Sequence, residues 1–571
     1  MIENQELIQD PNQTDSNQFT NKIISSIFNG TITSAEFINS DLNNTEIIQL
    51  LACLACDLTF SKTLKRLIIK NANRKLFKTS FQQLQQNKDK LLTETYSYPN
   101  DFFKQCIYND IKPAGYNCLF EALKTNNTLT SLHLINVELA DDNYNYLSEA
   151  LKVNKVIIDL HIYDTKRFNE ENVKVLSDVL KVHNLESFHF IIKRSLQEEW
   201  INLLILSLTN NKTLTKLTLQ FHNFSDDNCV NLSKLLQKIN IKYLDLNYNF
   251  ISEKGLSFIL NEIVNKEITT LKIAGNELKS DLLVSQIISK NKLEYLDISS
   301  AKITNINSLK NALLSNTSIK TLKINSFGFN HDYVKISLTK IDFITDIIKV
   351  NKTISKLQLR WNEFENVKPF LEAIKNNKTI TNLNIEGCKL YDEDQKELIE
   401  VIKSNKTIEK LNLNLCFEYD KDYQNKIHLK NPDGTRKYSF EEQKEMIKGF
   451  KHTYNDIFLD LLQYNSSIKS LKIVDNYRNT TIFNETYDDI YINKITNIIK
   501  SNKTLEYLEL DDTIPIICDR IKENNRIKSI SKFNTNIKLS DEQYEKINAS
   551  LKDNKTIFIN WNDYYISKLM K

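Results

Sequence analysis

Three histidines, His133, His161 and His189, stand at regular steps of 28 residues. Imidazole is a common metal ligand and the side chain that titrates nearest neutral pH. An evenly spaced trio therefore raises two chemistries, a zinc site built from nitrogen ligands and a pH-sensitive stack. On neighbouring parallel strands the three rings would lie side by side, pointing in parallel instead of converging on one point. The row they belong to continues through Thr218 and carries no carboxylate until Asp245. The expectation is therefore a solvated polar row without metal, and a metal- or pH-responsive protein is the alternative reading.

Other reactive groups are scattered. The eight cysteines fit neither a disulfide framework nor paired zinc knuckles. Cys53 and Cys56 form a C-x-x-C inside an apolar run, without a second ligand pair, and read as small buried hydrophobes. Phosphate-cradling loops need glycine, and only 8 occur in 571 residues, with no P-loop or dinucleotide fingerprint. Neither a metalloprotease H-E-x-x-H nor a G-x-S-x-G elbow is found. No catalytic residue and no cofactor is expected, and the chain reads as a non-enzyme. The formal charge of +3 provides no global field for nucleic acid. The start lacks a signal-peptide pattern and no stretch reaches the ~18 apolar residues of a membrane span. A cytoplasmic monomer is expected.

The elements that position such residues come from a repeat. Asn-Lys-Thr followed by Leu or Ile recurs at Asn211, Asn351, Asn377, Asn405, Asn502 and Asn554. Before it stand apolar trios at i, i+3, i+4, such as Phe370/Ala373/Ile374, which mark one face of a helix. The Asn three residues later is expected to stop the helix in the left-handed conformation that Asn tolerates. The period then changes to 2, as in Ile241-x-x-Leu244-x-Leu246, which predicts a short strand buried on one face. Its middle position recurs from Leu132 through Leu160, Phe188, Leu217, Leu244 and Leu271 to Leu508, mostly at steps of 25 to 29 residues. One strand and one helix cannot bury their apolar faces alone, but stacked copies can.

These motifs resemble the leucine-rich repeat of the ribonuclease-inhibitor-like subfamily, whose L-x-x-L-x-L continues to an Asn or Cys, here Asn249, Asn276, Asn362, Asn476, Cys388 and Cys416. That side chain can satisfy backbone groups leaving the strand. Val137, Ala301 and Phe327 depart from the pattern, and their turns are expected to be less regular. The resemblance implies an α/β fold: a right-handed solenoid or horseshoe, with a parallel β-sheet on the concave face and helices on the convex face. The array is expected over 58–560, after a disordered tail (1–20) and a helical cap (21–57) and before a C-terminal tail (561–571). Longer steps place insertions near 325–341, 416–440 and 474–492, all between strand and helix and so on one rim. The second holds Asn431-Pro432-Asp433-Gly434, which is turn chemistry.

Such a fold implies binding of a protein partner through the concave face and the strand-to-helix rim, or service as a regulatory subunit or sensor of an enzyme. Candidate contact residues are Tyr243, Tyr248, Tyr295, Arg360 and Trp361 on the strands and their exits, with Tyr477 and Tyr487 in the third insertion. Aromatic and arginine side chains dominate binding hot spots because they bury much area at low entropic cost.

Overall fold

The computed structural model describes residues 6–8, 34–38 and 66–70, then 120–413 except 122, 136–140, 165–168, 193–195, 221–222, 265, 304, 327–341, 363, 389 and 391. It further describes 439, 465–472, 502–510, 529–532 and 558–560. Nearly all of the three insertions, with Tyr477 and Tyr487, lies outside these residues, as does the C-terminal 561–571.

The chain forms two compact units, residues 1–278 with 290–293, and 279–289 with 294–571. In the first, β1 (Glu6–Ile8), β2 (Ser34–Ile38), β3 (Arg66–Lys70), β4 (Ser131–Ile135), β5 (Asp159–Asp164), β6 (Ser187–Ile192), β7 (Lys216–Gln220), β8 (Tyr243–Asp245) and β9 (Thr270–Lys272) each pair in parallel with the next. The second repeats this from β10 (Tyr295–Asp297), β11 (Thr321–Lys323), β12 (Lys356–Gln358), β13 (Asn382–Asn384) and β14 (Lys410–Asn412) to β15 (Ser470–Lys472), β16 (Tyr507–Leu510), β17 (Ser529–Lys532) and β18 (Phe558–Asn560). Strands β1 and β2 fall in the stretches read from sequence as tail and cap. In β2 the ladder position is Ala35, paired with Leu67, and alanine hides the pattern.

The register places the expected ladder residues opposite one another: Leu132, Leu160, Phe188, Leu217, Leu244, Leu271 in one unit, and Leu296, Leu322, Leu357, Leu383, Leu411, Leu471, Leu508 in the other. Those whose burial is described are 2% exposed or less. Each removed from water contributes about 1.5–3 kcal/mol. Helices alternate with the strands: α1 (Asp141–Val153), α2 (Glu170–Leu180), α3 (Glu198–Ser207), α4 (Asp226–Lys238) and α5 (Glu253–Ile263), then α6 (Leu282–Lys290), α7 (Asn307–Ser315), α8 (Phe343–Val350), α9 (Lys368–Asn376) and α10 (Asp392–Ser404). Helix α4 starts in a capping box, with the Ser225 hydroxyl accepting from the Asn228 N–H and the Asn228 side chain accepting from the Ser225 N–H. Its buried face is Cys229, Leu232, Leu235 and Leu236, the spacing of one helical side. Parallel strands alternating with helices make an α/β solenoid-like arrangement, leucine-rich-repeat-like in each unit. Among the described residues no helix is long and apolar enough to cross a membrane.

The helix-ending Asn corrects one expectation. Asn316, Asn351 and Asn377 have φ of −72°, −69° and −75°, extended and not left-handed. The side chain does the work instead. Asn351 Oδ1 accepts from the N–H groups of Thr353 and Ile354, at 2.9 and 3.0 Å. Its Nδ2 donates to the carbonyls of Leu313 and Asn316 in the repeat before. Stacked copies thus satisfy each other's helix ends, which would otherwise be buried unpaired. The consensus Asn after the strand behaves as expected. Asn249 donates to the Leu219 and Leu246 carbonyls, and Asn362 to those of Ile324 and Leu359. The turn at Ala301 nevertheless keeps its form. Ser300 adopts φ 55° as Tyr248 does, and its N–H donates to the Asn325 carbonyl at 2.7 Å, matching Tyr248 to Ala274. A left-handed residue and a bond to the next repeat hold the turn without the Asn. Val137 and Phe327 lie outside the described residues.

Candidate functional site

Alternation along a strand puts residues i and i+2 on one face, so each short strand offers two side chains to the same side. On β4 these are Ser131 and His133, on β5 Asp159 and His161, and on β6 Ser187 and His189. Parallel register sets the three histidines opposite one another. Their rings stack: His133 and His161 have centroids 3.6 Å apart at 10°, and His161 and His189 3.9 Å apart at 30°. The side-by-side arrangement expected from sequence is present, but the row is not simply solvated. His133 is 3% exposed.

Nor does the trio lack a carboxylate. Asp159, two residues before His161, turns toward both rings. His133 Nε2 lies 3.1 Å from its Oδ2, and His161 Nε2 lies 2.9 Å from its Oδ1. The Ser131 hydroxyl donates to the same Oδ2 at 2.6 Å. The carboxylate stands not in the histidine row but in the parallel row two residues earlier. Ser131, Asp159 and Ser187 make up that row, and the period of 2 was the signal. Burial opposes the charge on Asp159, but the hydrogen bonds from His133 and His161 outweigh it and hold the carboxyl well below the usual carboxylate range. His189 is pushed down to about 3, by burial first and then by the neighbouring His161. The Thr218 hydroxyl lies 2.6 Å from its Nδ1.

Further along the same unit, Tyr243 and Asp245 on β8 meet Lys272 on β9. Lys272 Nζ is 3.1 Å from Asp245 Oδ2, donates to the Tyr243 hydroxyl, and sits 4.8 Å from the centre of the Tyr243 ring. Burial works against the Lys272 ammonium, but Asp245 and Tyr243 hold its pKa above the usual value. Burial, followed by the Asp245 charge, raises that of Tyr243. Tyr243 is therefore a member of a cross-strand ion cluster.

In the second unit Arg360 donates to Glu386 Oε1 at 2.6 Å, and Asn412 donates to Oε2 at 2.9 Å. Tyr295 lies half-buried with the Lys323 ammonium 5.3 Å from its ring centre. Trp361 and Tyr248 occupy equivalent turn positions in the two units. Both are left-handed, φ 56° and 55°, and both are exposed, 43% and 38%. Each ring lies over a glycine of the following repeat. A Cβ on Gly387 would stand 2.4 Å from Trp361 Cδ2, and one on Gly275 2.4 Å from Tyr248 Cδ1. Phe250, missed from sequence, is 58% exposed beside Tyr248 at φ 56°.

The two described cysteines, Cys229 and Cys388, are buried thiols pushed up to about 12 by desolvation, which suits packing and not redox chemistry. Cys53 and Cys56 lie outside the described residues.

No family model matches the chain, and no curated protein matches it. Among solved structures it is similar to a tropomodulin C-terminal domain from Caenorhabditis elegans, at 18% identity over 24% of this chain and 88% of that one, with a TM-score of 0.22.

Proposed function

We propose that the chain is a non-catalytic scaffold that binds a protein partner through the open face of its strands and the strand-to-helix rim. The observation that carries this reading is the pair of exposed aromatics, Tyr248 and Trp361. A bulky residue at positive φ is strained, and surrounding structure must hold it there. Here each ring rests on a glycine, so a large flat side chain is presented to solvent in a fixed pose. Pre-ordered aromatic surface binds without the entropic cost of being immobilised on contact. Arg360, next to Trp361 and fixed by Glu386, adds a directed cation. The ribonuclease-inhibitor-like resemblance and a cytoplasmic setting belong to the same proposal. The test is affinity capture from cytosol on the full chain and on its Tyr248→Ala and Trp361→Ala variants, with circular dichroism to check folding. A specific partner recovered by the parent should fall at least about tenfold in one variant. Equal recovery by the parent and both folded variants would remove these aromatics from the interface.

A further inference from the structure

We propose that His133, His161 and Asp159 form a binding site for a zinc-class divalent cation. The three carboxylate-centred clusters point to it by their difference. At Asp245 the carboxylate faces Lys272, and at Glu386 it faces Arg360, so each is neutralised by a side chain that carries its own positive charge. At Asp159 the ion-pair partners are two imidazoles, which are cations only when protonated. The carboxylate is then the one fixed charge of the cluster, with two nitrogen ligands beside it, and a bound cation would meet it.

The geometry suits a metal. One ligand atom from each of the three residues lies within 4.8 Å of the others. Zinc with ligands at about 2.0–2.1 Å in a tetrahedron sets neighbouring ligand atoms about 3.3 Å apart. His161 Nε2 lies 2.9 Å from Oδ1 and His133 Nε2 3.1 Å from Oδ2, the two oxygens of one carboxylate, so Asp159 has to turn one oxygen toward both nitrogens to share an ion with them. The ligands also come positioned. The Ser131 hydroxyl, 2.6 Å from Asp159 Oδ2 and 2.9 Å from His133 Nε2, gathers those two ligand atoms, and the near-parallel 3.6 Å stack holds both rings at the carboxylate, from which they would tilt to converge on an ion. His133 is buried, while the side chains of His161 and Asp159 are 25% and 27% exposed, so the fourth coordination position faces the solvent side. Two nitrogens and one oxygen select Zn²⁺, Cu²⁺ or Ni²⁺ over Ca²⁺ and Mg²⁺, which take all-oxygen sites. Bound there, the ion would staple β4 to β5 and present a single open position on the face proposed above for partner binding.

The experiment is calorimetric titration of the chelator-stripped full chain with Zn²⁺, repeated with Mg²⁺. It is accompanied by the visible spectrum of the Co²⁺-loaded protein, which separates nitrogen–oxygen ligation from thiolate ligation at cysteine. One saturable Zn²⁺ site is expected, with no heat from Mg²⁺ and a tetrahedral cobalt spectrum lacking thiolate charge transfer. Asp159→Asn, which keeps shape and hydrogen bonding, and His161→Gln should each weaken Zn²⁺ at least about tenfold. His189→Gln, stacked on His161 but outside the ligand set, should not. For a readout independent of variant folding, Cu²⁺-catalysed oxidation of the parent protein should mark His133 and His161 by mass spectrometry. Absence of saturable binding, a thiolate spectrum, oxidation confined to other residues, or folded Asp159→Asn and His161→Gln proteins that bind as the parent does would each overturn the site.

Discussion

The two units build the same repeat but neutralise their buried polar groups differently. In the second, the Glu386 carboxylate is held by the permanently charged Arg360, and the described helix-ending positions from Asn316 to Asn502 are all asparagine, which does not titrate. In the first, Asp159 is held by imidazoles, and one helix-ending position is His183 in place of Asn. His183 fits because its two ring nitrogens reach the Leu151 and Ile157 carbonyls at 2.9 and 2.6 Å, the first being the helix-end group that Asn would also bond in this repeat stack. A stacked architecture thus fixes where a polar contact must be made but not which chemistry makes it. The first unit has taken titratable solutions at Asp159 and His183, beside one fixed pair, Asp245 with Lys272.

The strongest way to sharpen this contrast is to remove each fixed pair. Asp245 is 2% exposed, and Asp245→Asn leaves the Lys272 ammonium without its counter-charge in a largely enclosed place. A loss of about 2–3 kcal/mol is expected in denaturant unfolding. Glu386→Gln frees an Arg360 whose side chain is already 40% exposed, and water can take over. That variant should lose about 1 kcal/mol or less. Equal losses would mean that the two clusters are equivalent after all.

A feature the units share should respond alike. Gly275 and Gly387 have φ of 65° and 70°, and each would meet an aromatic ring at 2.4 Å if given a Cβ. Gly275→Ala and Gly387→Ala should each cost about 1–2 kcal/mol through left-handed strain and displacement of the ring. Gly387→Ala should also shift the emission of Trp361. An unchanged spectrum would show that the ring does not rest there.

The smallest effect concerns pH. Burial pushes the His183 pKa below its ordinary 6.5, although the two carbonyl contacts work the other way. With a depressed folded value, the unfolded chain takes up the proton first on acidification. The stability that His183 contributes is therefore full above about pH 6.5 and is lost progressively as pH falls toward the folded value. The slope for one such group cannot exceed about 1.4 kcal/mol per pH unit. His183→Asn, which restores the non-titrating residue, should flatten the melting-temperature profile between pH 7.5 and 5. Parallel profiles for the parent and His183→Asn would contradict the assignment.

Much of this molecule was legible in one dimension. The i, i+3, i+4 trios, the switch to period 2 and the recurrence of about 28 residues determined strands and register from Leu132 to Leu508, and the described helices as far as α10, because burial on one face leaves no other alignment for those side chains. Ala35 and the strand ending at Lys532 escaped, since alanine and lysine stand where the pattern asks for large apolar residues. Local sequence also placed His133, His161 and His189 side by side, because equal spacing in a parallel stack is equal position. Only the tertiary structure decided what those positions do. That Asp159 turns toward two rings, that Asn351 ends its helix by its side chain and not by left-handed backbone, and that Tyr248 and Trp361 lie over Gly275 and Gly387 are all contacts between one repeat and the next. Such contacts depend on side-chain directions across a 4.8 Å strand spacing, and a list of residue types carries no information about those directions.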